Sequence, residues 1–304
     1  MCCFAQPVVE VTDTNLFARM KDSQTQLLAY QMKFSSKTPN AMILPLPVNT
    51  SASEDSVRFI SLKGYDNFFE DLNNGFPQPP PPARSRGKLR EDLAVDSQLI
   101  VHEVGDFAAS FVPSIKDFSR LDPQFVIPKK SWDKIPLYAD YGFAVFQLKK
   151  LRGTTHPMAF EFKTRLKDQI FFPTVHIHDG EVHQRELFDH TLYLQNASLD
   201  EKAGRYLSPR AIDRKTGFVR SQKKAAAFCD IQKSAGLVKA DQLVHRIQMR
   251  GRYRNTDVIA SLNRGPFRFS RASIAPSWSL TPLAAGLTGL AWLFGRREKL
   301  QKGE

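Results

Sequence analysis

The chain has 304 residues, 42% of them hydrophobic and 11% aromatic, enough to bury one large core or two medium ones, which excludes a disordered chain. Three cysteines, adjacent Cys2 and Cys3 and the distant Cys229, give no disulfide framework, as expected of a protein of a reducing compartment or of one indifferent to redox. The net charge of +12 is concentrated: residues 201–304 carry 21 Lys and Arg against 7 Asp and Glu, and residues 1–200 carry 22 against 24, so attraction to an anionic surface belongs to the last third.

The opening Met1-Cys-Cys-Phe4 has no basic n-region and no apolar h-region, so the expectation is a main domain facing the cytosol without a secretory signal. Val8–Thr12, Thr25–Phe34, 41–47 and Val57–Leu62 read as strands, with Pro45 and Pro47 restricting the third to an edge or a strand end. Tyr65, Phe68, Phe69 and Leu72 then fall on one helical stripe, which Asn73-Asn74-Gly75 terminates. A Pro-rich loop over 76–90 follows, able to form neither helix nor ladder. Beyond it, 98–104 and 107–112 read as strands, Trp132–Tyr141 as a short helix, and Tyr141–Leu148 as a buried strand.

The densest chemistry lies at Val175-His176-Ile177-His178-Asp179-Gly180-Glu181-Val182-His183, which holds three of the seven histidines. Asp179-Gly180 is a strong two-residue hairpin turn. With that turn, His178 opposes Glu181 and His176 opposes His183, so four polar side chains share one face while Val175, Ile177 and Val182 take the other. Such a patch could hold a divalent metal (Zn, Fe or Mn), with His176, His178 and His183 as ligands and Glu181 as a fourth ligand or as a catalytic base. His156 and His190 lie near enough in sequence to join. The alternative is the polar face of a half-buried hairpin.

After residue 200 the texture changes. Ser221–Lys233 reads as a helix from its alanines and lysines. Leu243–Val258 reads as one strand whose outer face carries a comb of arginines, Arg246, Arg250, Arg252 and Arg254, suited to phosphates of anionic lipid. No nucleic-acid-binding signature accompanies it. Cys2 is a second candidate catalytic group, because removal of Met1 would leave a free α-amine beside its thiol.

From Ile274 to Phe294 the chain carries no charged residue, and Arg296-Arg297-Glu298-Lys299 follows. Twenty-one uncharged residues, with Trp278 and Trp292 near the ends, are long enough as a helix for ~30 Å of hydrocarbon, so 274–294 is expected to be a C-terminal membrane anchor.

Met1-Cys-Cys-Phe4, the Asn40–Val48 strand with its Leu-Pro-Leu-Pro, the Tyr65–Leu72 helix, Tyr141-Gly142-Phe143 and the histidine segment together resemble an uncharacterised bacterial protein family of unknown function. The resemblance covers about residues 1–200 and implies no reaction, substrate or site residue. The expected fold is therefore α+β, mainly antiparallel β-sheet with short helices, in a domain over 1–262 that is basic from about 201. Residues 263–304 add a linker and the C-terminal hydrophobic helix. Three functions remain open: a membrane-tethered protein with a metal on the histidine hairpin, a non-enzymatic binding or scaffold protein docking on anionic membrane through its basic last third, and a hydrolase using Cys2.

Overall fold

Long alternating segments dominate the first forty residues, and each must lay one face on something apolar. The computed structural model describes residues 3–49, 52–77, 102–104, 107–208, 211, 213, 216–261 and 269–271. Its first half contains strands β1 (Cys3–Phe4), β2 (Val8–Met20), β3 (Thr25–Ser36), β4 (Asn40–Leu46) and β5 (Val57–Ile60), then helix α1 (Phe68–Asn74). Next come β6 (His102–Val104), β7 (Phe107–Val112), helix α2 (Lys129–Trp132), β8 (Gly142–Leu148), β9 (Arg152–Thr154), β10 (Met158–Lys163) and β11 (Gln169–Phe172). The second half holds β12 (Arg185–Leu194), helix α3 (Ala197–Asp200), β13 (Gly204–Arg205), β14 (Val219–Arg220), β15 (His245–Arg254), β16 (Val258–Ser261) and β17 (Phe269–Arg271).

Two large sheets face each other. One has the order β1-β4-β8-β7-β6; the other has the order β13-β14-β15-β12-β2-β3-β10-β5, with β9 beside β3. All pairings in the first are antiparallel, and in the second only β12 with β2 and β13 with β14 run parallel. A third sheet, β11-β16-β17, completes the set. Between the large sheets lies the main core, where Phe146 meets Phe59, Phe107 and Phe160 at centroid distances of 5.6, 6.2 and 5.8 Å. The outer face of the larger sheet is covered in part by α1 and the 225–244 segment, through Phe68, Phe69, Leu72, Cys229 and Leu237. Short helical turns over 115–138 cover the outer face of the smaller sheet, with Phe118, Trp132 and Tyr138 against Phe143 and Val145.

The β-rich, largely antiparallel class with few short helices matches the expectation; the C-terminal helix lies outside the described residues. Pro45 is accommodated as its chemistry requires. β4 lies between two strands, but β1 pairs only with Met42 and Ile43, so Pro45 has a ladder on one side.

Three elements differ from the expectation. Trp132–Tyr141 is no single helix: Pro136 breaks it, leaving α2 and a 3-10 turn at Pro136–Tyr138. Ser221–Lys233 forms only one 3-10 turn, at Ala225–Ala227. Its amides go to Val244, Gln242 and Ala240 carbonyls instead, burying Ala225 and Cys229 against the sheet, and this tertiary gain overrides alanine's helix preference. Leu243–Val258 is broken at Asn255–Asp257 into β15 and β16.

Candidate functional site

The histidine segment is not a hairpin. Residues 173–184 contain no ladder, only a parallel bridge of Ile177 to Cys3, and Gly180 takes φ +85° in an isolated turn. The segment is a wedge: Phe4 N–H donates to the Ile177 carbonyl at 3.1 Å and Val8 N–H to that of His178 at 2.9 Å. Its other margin is held by the break after β15. Asn255 accepts from His176 N–H at 2.7 Å and donates its amide to the His176 and His183 carbonyls at 2.9 and 3.0 Å. Asp257 accepts from Thr174 and Val175 N–H at 2.8 and 3.2 Å and from the Tyr138 hydroxyl at 2.5 Å. Asn255 and Asp257 escaped the sequence reading because they sit inside an otherwise continuous strand pattern; a pair of turn-forming side chains there was the available signal.

This geometry corrects the metal site. His176 is fully buried and stacks on Phe188 at 4.3 Å, His178 at 5.0 Å and His190 at 5.1 Å, with ring planes 27°, 18° and 10° apart. His183 points outward, half exposed, and bonds Asp179 at 2.8 Å. Glu181 is also half exposed and pairs with Lys134. The predicted set His176, His178, His183 and Glu181 is therefore divided between core and surface, and among the described residues no group of three or more His, Cys, Asp and Glu could hold a metal ion. The physical reason is burial on both faces: Val175 and Ile177 pack into a core as expected, but so does His176. Stacked parallel rings present their faces to one another, not converging lone pairs.

Electrostatics follow from that burial. Loss of solvent holds His176 well below the ordinary histidine range, and neighbouring His190 and His178 push the same way. His178 is held down to about 4, again chiefly by burial. His183, beside Asp179, is raised. Burial drives the Asp257 carboxyl up to about 6, against the lowering effect of its three donors.

The arginine comb is likewise rearranged. Arg246 is 2% exposed, sandwiched at 4.4 Å over Phe76 and 5.1 Å over Tyr206, and donates to Asn73 Oδ1 at 2.8 Å, so it is unavailable to an outside anion. Arg250 is pinned to its own sheet, with Nε 2.9 Å from Asp189 and a donated bond to the His190 carbonyl at 2.8 Å. Arg252 and Arg254 remain exposed. The register adds what the comb reading missed: Arg185 on β12 lies directly opposite Arg254, and Leu187, 66% exposed, directly opposite Arg252. None of Arg185, Arg252 and Arg254 has an acidic partner among the described residues. Alternation carries Phe188 and His190 to the core side, leaving Arg185, Leu187 and Asp189 on the open side.

Cys2 lies outside the described residues, and its neighbour Cys3 is fully buried. The expectation of a transmembrane helix is corrected for the described residues, where no helix is long and apolar enough to cross a membrane; the 274–294 segment lies outside them. So does most of the Pro-rich loop, of which Phe76 and Pro77 are described.

The described residues thus define a layered, mainly antiparallel β-protein with a largely buried imidazole stack and an open guanidinium tip on the reverse side of the same strand. No family model and no curated protein matches the chain. Among solved structures it is similar to baculovirus P35, at 14% identity and a TM-score of 0.46 over 86% of this chain and 99% of that one. The P35 of a caspase-8/P35 complex gives 13% identity and a TM-score of 0.42, over 83% and 96%.

Proposed function

We propose that the protein is a non-enzymatic binding protein that attaches to anionic membrane surfaces through the tip of β12 and β15. The observation that carries this reading is the trio Arg185, Arg252 and Arg254, exposed and without acidic partners among the described residues. Like charges directly opposite on neighbouring strands repel, as Arg185 and Arg254 do, and an anionic surface relieves that repulsion when it arrives. Each basic side chain near an anionic leaflet is worth about 1 kcal/mol, so three contribute about 3 kcal/mol before any other contact. The surplus of basic residues after 200 adds long-range attraction of the same sign.

The test is co-sedimentation of the full chain with phosphatidylcholine vesicles, with and without phosphatidylserine. Binding should rise with phosphatidylserine, and Arg252→Ala/Arg254→Ala should weaken the charge-dependent part roughly 30-fold, the equivalent of about 2 kcal/mol. Equal binding to both vesicle types, or an unaffected double variant, overturns the reading.

A further inference from the structure

Leu187 stands apart from the other exposed apolar side chains of the described residues, Val9, Leu151 and Leu207. Single exposed aliphatic residues are ordinary on protein surfaces and need no explanation. Leu187 differs in its surroundings: Arg252 lies directly across from it, the Arg185–Arg254 pair forms the next row on the same face toward the tip, and the Asp189–Arg250 ion pair forms the row behind. Leu151 also has basic neighbours, Lys149 and Lys150, but both of these have interactions of their own. Around Leu187, Arg252 and the Arg185–Arg254 pair have no acidic partner among the described residues, and Arg250 alone is held by Asp189.

The strand that carries Leu187 is well supported from behind. Phe188 and Tyr253, on the reverse face, meet edge to face at 5.5 Å, and Phe188 stacks on His176 at 4.3 Å. Gly251, directly opposite Phe188, takes φ +108°, a conformation that side chains rarely adopt. A rigid tip bearing one aliphatic group among guanidiniums has the chemistry of a bilayer boundary: charge for phosphates, and a short apolar group for the acyl region just beneath them.

We infer that Leu187 is a membrane-inserting anchor, so that the surface engaged by the tip is the hydrocarbon boundary of an anionic lipid bilayer and not merely a layer of negative charge. This rests on the docking reading above, and the two fail separately. In the full chain, Leu187→Ser is expected to weaken binding to phosphatidylserine-containing vesicles roughly tenfold, and to leave binding to heparin, which offers charge without hydrocarbon, unchanged. Arg252→Ala/Arg254→Ala is expected to weaken both. An NBD fluorophore on Leu187→Cys, in a Cys2→Ser background, should brighten and shift to the blue on those vesicles but not on heparin. If the arginine variant loses vesicle binding while Leu187→Ser keeps it and the fluorophore is silent, insertion is overturned and docking stands. Equal weakening of Leu187→Ser on vesicles and heparin also overturns insertion. Full binding by both variants overturns insertion and docking together.

Discussion

His176 carries two ring nitrogens that find no hydrogen-bond partner among the described residues, and it is stacked between fully buried Phe188 and His190 and the partly buried His178. Such an imidazole can remain only in its neutral form, and this couples folding to pH. An unfolded His178 takes up a proton near pH 6.5, whereas the folded one does so only near 4. Its contribution to stability is therefore complete above 6.5 and is lost as the pH falls toward 4, about 3 kcal/mol in all. His176 acts in the same direction. Asp257 opposes them: its folded carboxyl titrates near 6 against an ordinary 3.8, so it contributes stability that is complete below 3.8 and lost as the pH rises through 6. Among these buried groups, two histidines against one carboxyl leave a loss of stability on acidification, while the exposed His183, raised beside Asp179, acts in the opposite sense. Asp257→Asn removes the opposing buried group. Thermal melts across this range should show a steeper loss toward acid in the variant than in the parent, and an equal or shallower slope would show that Asp257 is not raised.

At the scale of elements, the wedge 173–184 depends on side chains from the break after β15 because it has no ladder of its own. Asn255→Ala would strand His176 N–H and two carbonyls, at a cost of about 2–4 kcal/mol from unsatisfied buried groups. Amide exchange should report this locally, faster over 174–184 while β3 and β8 keep their protection; uniform protection in parent and variant would refute the clamp. The same elements show how far sequence patterns reach. The alternation that put His176 and His178 on one side of their segment was legible, and the structure keeps it. The turn was not, since Asp179-Gly180 forms a tight turn whether or not its flanks pair, and the partner that decides this, β1, lies some 170 residues away. Likewise Ser221–Lys233 has the composition of a helix, yet its amides find better partners at 240–244.

For the whole molecule, stability resides between the two large sheets, whereas the proposed docking surface lies on an outer tip, so stability and binding should separate. Phe146→Ala, which empties the meeting point of Phe59, Phe107 and Phe160, should cost about 3–5 kcal/mol in chemical denaturation, with both sheets lost in one transition. Leu187→Ser should stay within about 0.5 kcal/mol of the parent, since it removes no core contact. A Phe146→Ala loss no larger than that of Leu187→Ser would contradict the layered core.

By itself the sequence determined what depends on neighbours a few residues apart: the β-rich class, the α1 stripe of Phe68, Phe69 and Leu72, the absence of a disulfide framework, and the basic last third. Alternation, composition and charge are local quantities, and local sterics and solvation express them directly. Only the tertiary structure decided which histidines are sealed in and which face water, that Arg246 is buried between Phe76 and Tyr206, and that Arg185 and Leu187 join Arg252 and Arg254 at one tip. Those outcomes are set by strand pairings such as β12 with β15, whose free energy comes from contacts between residues more than fifty positions apart, and no short window of sequence contains both partners.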